Sequence, residues 1–337
     1  MTAAALPLLL AAHLAAAPAR EPARIIFDTD MGNDVDDAMA LALLHALWSR
    51  DECRVLAVTL TKSDPLAGPF CAALNAFYGR GTIPVGIRRA REGSGGSKFL
   101  KLASERDGDQ PRYPHTLDPA TAPDAVPLLR QVLAGQPDGS VSIVQVGFSS
   151  NLATLLDTPA DAASPLPGKE LVKAKVKLLS IMAGAFATID HNNRYLEYNV
   201  TNDRAACRKL AAEWPTPVVW SGFEIGIAIP YPAASVERDY AYVEHHIVAE
   251  AYRLYCGPGH DRPTWDLTSA LYAVRPDRGY FDLSRPGRVT VEEDGFTRFT
   301  PANNGRDRFL LVNQQQLART REALVQLTSQ PPDKIAR

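Results

Sequence analysis

The feature of this 337-residue sequence that most constrains its fold is a cluster of acids directly after the first β-like segment. Residues 24–27 have the pattern of a buried β-strand, and the ten residues that follow read DTDMGNDVDD, with five aspartates. Carboxylates this close repel one another and do not all stay ionised without a cation. Capping of a helix N-terminus accounts for one or two of them. The others predict a hard cation with oxygen ligands, Ca²⁺ or Mg²⁺, at the carboxyl edge of a sheet.

Short β-branched segments alternate with helical patterns along the chain, which is typical of βαβ units. The sequence therefore predicts an α/β fold, in which helices cover both faces of an open, mostly parallel, Rossmann-like sheet within one domain at residues 24–330. The predicted strands are residues 24–27, 55–60, 141–147, 176–182, 218–221, 288–291 and 308–312. The predicted helices are residues 37–48, 66–78, 125–133, 151–156, 203–214, 236–255, 266–274 and 315–327.

Composition and the N-terminal segment indicate the class of protein. The chain has 36 Lys and Arg against 38 Asp and Glu, so it lacks the basic excess that a nucleic acid polymer as partner requires. Residues 1–19 are apolar, contain no Lys, Arg, Asp or Glu, and end in Ala17-Pro18-Ala19, which resembles a secretory signal peptide cleaved near Ala19. No later segment is long and apolar enough for a stable membrane span. We therefore expect an exported protein, periplasmic or secreted.

Two enzyme families place an acid cluster after their first strand. The haloacid dehalogenase-type phosphatases, which depend on Mg²⁺, use D-x-D-x-[TV] with the first aspartate, here Asp28, as nucleophile, but the fifth position here is Gly32. The nucleoside hydrolases begin with D-x-D-x-G-x-D-D-A-x-A-L. Residues 28–32 followed by residues 36–41 resemble that motif, with two extra residues inserted between its halves.

Four later segments also resemble nucleoside hydrolase motifs, in the same order along the chain. Residues 146–153 (VGFSSNLA) resemble G-P-L-T-N-x-A, residues 181–186 (IMAGAF) resemble M-G-G-A, residues 196–206 resemble E-F-N followed by D-P-E-A-A, and Trp265-Asp266 stands where the family has His-Asp. The chain thus resembles the inosine/uridine-preferring nucleoside hydrolases, or nucleoside N-ribohydrolases, from residue 25 to about residue 275. The last sixty or so residues carry no recognisable motif.

The resemblance implies calcium-dependent hydrolysis of the N-glycosidic bond of ribonucleosides to ribose and free base. It places the Ca²⁺ ligands at the carboxylates of Asp30, Asp37 and Asp266 and at the main-chain carbonyl of Ser150. The general base would be Asp36. If the two inserted residues are ignored, the base position falls on residue 34 and a ligand position on residue 35, which is valine and cannot bind a metal. The register that includes the insertion is therefore preferred.

The resemblance also indicates residues that contact the nucleoside, a small-molecule partner, and it suggests a homodimer or homotetramer. The predicted substrate-binding residues are Asp64, Met182, Asn193, Glu197, Asn199 and Trp265. Glu197 and Asn199 lie two positions apart, so on an extended segment both side chains project to one side. Trp265 replaces the histidine that is the proposed acid for the leaving base, and an indole N–H is no useful acid, although the ring can stack on a base. The four histidines His115, His245, His246 and His260 are expected at the surface. Two alternatives remain: the Mg²⁺-dependent phosphatase, and a nucleoside-binding or sugar-binding homologue that lost catalysis with the histidine.

Overall fold

A computed structural model describes residues 21–89 and 96–333 of the chain, so the predicted signal peptide lies outside the described residues. The strands are β1 (Ala23–Thr29), β2 (Cys53–Leu60), β3 (Val85–Gly86), β4 (Arg106–Asp107), β5 (Gln110–Pro111), β6 (Val141–Gln145), β7 (Val176–Met182), β8 (Val218–Ser221), β9 (Asp282–Leu283), β10 (Gly287–Val291), β11 (Thr297–Pro301) and β12 (Asp307–Leu311). The α-helices are α1 (Asp36–Ser49), α2 (Ala67–Phe77), α3 (Ala125–Ala134), α4 (Ser150–Asp157), α5 (Gly168–Lys175), α6 (Tyr198–Asn202), α7 (Arg204–Glu213), α8 (Phe223–Ile227), α9 (Ala233–Arg238), α10 (Ile247–Cys256), α11 (Trp265–Val274) and α12 (Gln314–Thr328).

The main sheet is mostly parallel, as the sequence predicts. Its strand order is β11-β10-β12-β8-β7-β6-β1-β2-β3, with β9 pairing with β12, and the strands from β12 to β3 along this order run parallel. From β1 the chain proceeds outward to β2 and β3, then returns to β6 and proceeds the other way. The order of the strands therefore reverses between β1 and β6. In open α/β sheets, ligands bind outside the carboxyl ends of the strands at this point.

Helices cover both faces of the sheet. Successive side chains of a strand point to opposite faces, and in β1 the side chains of Ile25 and Phe27 belong to one buried apolar cluster while Ile26 belongs to the other. The first cluster includes residues of α1, α2, α10, α11 and α12, and the second includes residues of α3, α4, α5 and α7. A strand buried on both faces reads as a continuous apolar segment, which is why β1 is recognisable in the sequence.

The central helix α1 is buried almost all round, because residues 38–47 are alanine, leucine, methionine and one histidine. It packs against α11 and α12. Both α1 and α11 have an aspartate in the first turn, Asp36 and Asp37 in one and Asp266 in the other. The fold therefore brings two acidic helix N-termini together beside the carboxyl end of β1.

The single long helix predicted over residues 236–255 is wrong, because α9 and α10 are separate helices. The ring of His246 starts α10: its Nδ1 accepts a hydrogen bond from the backbone N–H of Val248 at 3.2 Å. His246 is also buried, with the rings of Phe77 and Tyr240 packed against it, so its predicted position at the surface is wrong as well. Within the described ranges, no helix is long and apolar enough to cross a membrane.

Candidate active site

A cavity of about 380 Å³ lies at the carboxyl edge of the sheet, where the strand order reverses. It is lined by Asp30, Asn33, Asp34, Asp36, Asp37, Val146, Met182, Glu197, Tyr198, Asn199, Phe223, Tyr255, Arg262, Trp265 and Asp266. Eight of these residues are among the site residues that the sequence predicts. They come from segments between residues 30 and 266, so the cavity forms only when distant parts of the chain pack together.

Four buried aspartates form the acidic part of the cavity. Carboxylate oxygens of Asp36, Asp37 and Asp266 all lie within 4.8 Å of one another. The backbone N–H of Asp266 donates a hydrogen bond to Oδ2 of Asp36 at 3.1 Å, so α11 directly orients that carboxylate. The hydroxyl of Thr29, at the end of β1, donates to Oδ1 of Asp37. Asp30 lines the same cavity and is 4 % exposed.

The aspartates are difficult to ionise in the protein alone. Burial raises the pKa of Asp30 to about 6. Burial, followed by repulsion from neighbouring carboxylates, raises the pKa values of Asp36, Asp37 and Asp266 well above the ordinary range. A cation among these oxygens relieves both costs. The residues therefore fit a hard divalent cation, and oxygen ligands of this kind serve both Ca²⁺ and Mg²⁺.

Hydrogen bonds hold Glu197 and Asn199 in the cavity wall. The carboxylate of Glu197 caps α6 by accepting from the backbone N–H of Asn199 at 2.8 Å, and it also accepts from that of Gly184 at 3.0 Å. The side-chain amide of Asn199 donates to the carbonyls of Val146 at 2.9 Å and Met182 at 3.1 Å. The segment was expected to be extended, but a capped helical turn brings both side chains to the cavity.

Aromatic rings form another part of the cavity wall. The indole of Trp265 donates to the carbonyl of Phe223 at 3.0 Å, and the two ring centroids are 5.2 Å apart. The guanidinium of Arg262 lies 5.3 Å from the Trp265 ring and 5.1 Å from the Tyr255 ring. Asp34, which also lines the cavity, forms an ion pair with Arg262.

Three predicted site residues are not among those that line the cavity. Asp64 accepts a hydrogen bond from the backbone N–H of Leu66 at 2.9 Å, just before α2. Asn193 lines a separate groove, together with Phe186 and Phe296. The hydroxyl of Ser150, in the first turn of α4, accepts from Arg88 at 2.8 Å. Val146, which directly follows β6, lines the cavity instead of Ser150.

The cavity also contains residues that sequence reasoning did not identify as site residues, namely Asn33, Asp34, Val146, Tyr198, Phe223, Tyr255 and Arg262. Val146 was detectable, because ligands bind at the carboxyl ends of parallel strands and this residue directly follows one. No local signal indicates Arg262, which lies in a loop before α11.

Asp28 does not fit the role of a phosphatase nucleophile. Its side chain is fully buried, does not line the cavity, and accepts from the hydroxyl of Thr59 at 2.6 Å and the amide of Asn151 at 2.8 Å through the same oxygen. A nucleophile must reach the substrate within the cavity. The structure therefore contradicts the alternative of a dehalogenase-type phosphatase.

Comparison with known proteins identifies the family. The family model described as "Inosine-uridine preferring nucleoside hydrolase" matches residues 25–320. The chain belongs to this family. It is therefore a hydrolase that acts on N-glycosyl compounds, as the sequence motifs predict. A search of curated protein sequences gives no significant match.

Solved structures of nucleoside hydrolases share the fold of this family member. A plant nucleoside hydrolase superposes with a TM-score of 0.68 at 21 % identity, over 92 % of this chain and 100 % of that one. An inosine-uridine preferring nucleoside hydrolase from Bacillus anthracis gives 0.66 at 18 % identity, over 91 % and 99 %. A purine-preferring ribonucleoside hydrolase from Gardnerella vaginalis gives 0.66 at 15 % identity, over 91 % and 99 %. These likenesses confirm the predicted α/β fold.

Proposed function

We propose that this nucleoside hydrolase cleaves the N-glycosidic bond of ribonucleosides in a calcium-dependent reaction that releases ribose and free base. The observation that carries the proposal is that one cavity combines a buried carboxylate cluster with an aromatic wall. Asp266 belongs to the cluster and the adjacent Trp265 belongs to the wall. A nucleoside has the same division, with a polar sugar on one side of the bond and a flat base on the other.

Asp36 is the proposed general base. The backbone N–H of Asp266 orients its carboxylate, and burial raises its pKa, which makes the carboxylate a better proton acceptor. The oxygen of a water molecule attacks the anomeric carbon, while the electron pair of the C–N bond leaves with the base. The proton of the water passes to Asp36. Such cleavage has an oxocarbenium-like transition state, which a wall of carboxylates stabilises.

Asp30, Asp37 and Asp266 would hold the cation, and we propose the main-chain oxygen of Val146 as a further ligand in place of Ser150. Val146 lines the cavity, and the amide of Asn199 already positions its carbonyl at 2.9 Å. When bound, a calcium ion supplies a lower pKa for a coordinated water and a fixed position for the sugar hydroxyls.

Glu197, Asn199 and Met182 are the proposed sugar-binding residues. Glu197 already accepts backbone hydrogen bonds through both of its oxygens, so its orientation does not depend on substrate. Asn199 is similarly held through its amide nitrogen. A preorganised polar wall of this kind orients the ribose without loss of side-chain entropy.

The test is ribose release from inosine, uridine, adenosine and cytidine, with added calcium and with a chelator. We expect ribose only when the cation is present, and a fall in kcat of about 10²–10⁴-fold for Asp36→Asn. Asp138→Asn is the matched control, because Asp138 is a 77 % exposed surface residue paired with Lys175. Tight nucleoside binding without ribose release would instead support the inactive homologue. Full activity of both Asp30→Ala and Asp266→Ala would refute the cation assignment.

We also propose that the chain is exported after cleavage near Ala19 and that it forms a homodimer or homotetramer. The apolar residues 1–19 support export, and the family resemblance suggests the assembly. N-terminal sequencing of the protein from the extracytoplasmic fraction tests the first proposal, and light scattering during gel filtration tests the second. An intact Met1 or a monomeric mass would contradict them respectively.

A further inference from the structure

The base that leaves needs a proton donor or a stabilising charge, and Trp265 supplies neither. When the C–N bond breaks, its electron pair moves onto a ring nitrogen of the base, which must then be protonated or stabilised as an anion. The indole N–H is a poor acid, and it already donates to the carbonyl of Phe223 at 3.0 Å. Among the described residues that line the cavity there is no histidine and no lysine.

Arg262 is the one cationic side chain among those described residues. Its guanidinium lies against the faces of Trp265 and Tyr255, the rings of the proposed base-binding wall, at 5.3 and 5.1 Å. Trp265 directly precedes Asp266 in the chain, and both residues line the cavity, so the aromatic wall begins next to the acidic cluster. The same cavity therefore has room for a sugar at the acids and for its base beside Arg262.

The guanidinium is held rigidly from both ends. Nε donates to Oδ1 of Asp34 at 3.1 Å and Nη2 donates to the other oxygen, a bidentate pairing that fixes the plane of the group. The backbone of Arg262 is fixed by two hydrogen bonds with Tyr231, at 2.7 and 3.1 Å. Asp34 lies in the stretch where this chain has two residues more than the family motif. The pair of Asp34 and Arg262 thus connects the inserted stretch to Trp265, which stands in place of the family's histidine.

We propose that Arg262 binds the base of the substrate and stabilises the negative charge that develops on it as the N-glycosidic bond breaks, with Asp34 as the positioning residue. A guanidinium does not give up its proton, so it acts by charge and hydrogen bonding alone. The hydroxide part of water goes to the sugar, the remaining proton goes to Asp36 and then to solvent, and the base takes its proton from solvent. The inference rests on the proposed nucleosidase function.

The test compares two substrates that differ in their need for leaving-group assistance. Inosine has a poor leaving group, whereas 4-nitrophenyl β-D-ribofuranoside releases a phenolate that is stable without help. We expect Arg262→Gln to lower kcat about 100-fold with inosine and less than about tenfold with the nitrophenyl riboside. Arg262→Lys keeps the charge and should recover part of the loss with inosine. Asp34→Asn should lower kcat for inosine with little change in KM.

Controls separate the possible failures. If the wild-type protein hydrolyses neither substrate, the proposed function fails and this inference fails with it. If the wild type hydrolyses both but Arg262→Gln and Arg262→Lys lose equal activity on the two substrates, the role of Arg262 in leaving-group stabilisation is refuted. Tyr255→Phe is the matched variant in the same wall. A loss selective for inosine in that variant, without one in Arg262→Gln, would show that the phenol protonates the base instead.

Discussion

Replacing Asp30 with asparagine should stabilise the cation-free protein at neutral pH. Asp30 is 4 % exposed, and burial raises its pKa from 3.8 to about 6. Ionising this carboxyl in the folded protein therefore costs about 3 kcal/mol more than in the unfolded chain. Asparagine has nearly the same shape as aspartate but no charge. Its side-chain oxygen can still accept the hydrogen bond that the side-chain amide of Asn33 donates to Asp30 in the wild type. We expect Asp30→Asn to raise the free energy of unfolding at pH 8 by up to about 3 kcal/mol.

The pH dependence has a definite sign. The pKa of Asp30 is higher in the folded protein than in the unfolded chain, so the folded wild type binds more protons between these two values. Its stability therefore falls as the pH rises from about 4 to about 6, and the contribution of Asp30 is constant above that. The advantage of the variant should be small at pH 4 and complete by pH 7. A cation at 1,000 times Kd should reverse the order, since it stabilises the wild type by about 4.1 kcal/mol, more than the variant gains.

Urea unfolding followed by tryptophan fluorescence at pH 4.5, 6 and 8 measures these differences, with a chelator and with calcium. Asp138→Asn, at the surface, is the control and should respond to the cation as the wild type does. If Asp30→Asn were less stable than the wild type at pH 8 in chelator, with an unchanged m value, the argument from buried charge would be refuted.

Three further substitutions test how the cavity wall is built. Gly184→Ala should lower the free energy of unfolding by about 2–4 kcal/mol, because φ is +78° and a Cβ would collide with the side chain of Thr297. The control Gly108→Ala, at φ +60° in open space, should cost about 1 kcal/mol, and equal losses in urea unfolding would contradict this. Asn199→Leu should cost about 1–3 kcal/mol of unfolding free energy, since it removes the hydrogen bonds that the carbonyls of Val146 and Met182 accept from the amide. A stability equal to the wild type would show that water replaces the amide. Trp265→Phe should raise KM for nucleosides while kcat falls less than tenfold, because the ring can still stack but the hydrogen bond to the carbonyl of Phe223 is lost. A larger fall in kcat would indicate a direct catalytic role for the indole.

The acidic centre of the site follows from sequence because its signals are local. A buried apolar segment predicts β1, and the aspartates after it fall at the start of α1, within a few residues of the predicted boundary. Asp266 is placed correctly for the same reason, since α11 begins at Trp265. Each of these positions depends on residues close to it in the chain.

Side-chain capping was harder to predict from the pattern of apolar residues. Glu197 and Asn199 reach the cavity because Glu197 caps a helical turn, and the pattern indicated an extended segment instead. The two short helices α9 and α10 were predicted as one because the apolar spacing continues between them, whereas α9 ends at Arg238 and the ring of His246 caps the start of α10. In both cases a side chain that accepts a hydrogen bond from a backbone N–H fixes where a helix begins, which the spacing of apolar residues does not show.

The C-terminal segment shows how distant residues support the site. It carries no recognisable motif, yet β10, β11 and β12 extend the sheet beyond β8. The hydroxyl of Thr297, in β11, accepts from the backbone N–H of Ala185 at 3.0 Å and donates to its carbonyl at 3.1 Å. These bonds hold the loop after β7, whose Gly184 N–H in turn binds Glu197.

The sequence by itself determined the family, the α/β class and the buried acids Asp30, Asp36, Asp37 and Asp266, because motif spacing and helix starts are properties of neighbouring residues. Only the tertiary structure decided what faces those acids. Asp34 and Arg262 are 228 positions apart, and their pairing depends on the packing of α1 and α11 and on the backbone bonds of Arg262 to Tyr231. Contacts between distant segments leave no periodicity in the chain, so the base-binding side of the cavity becomes visible only after folding.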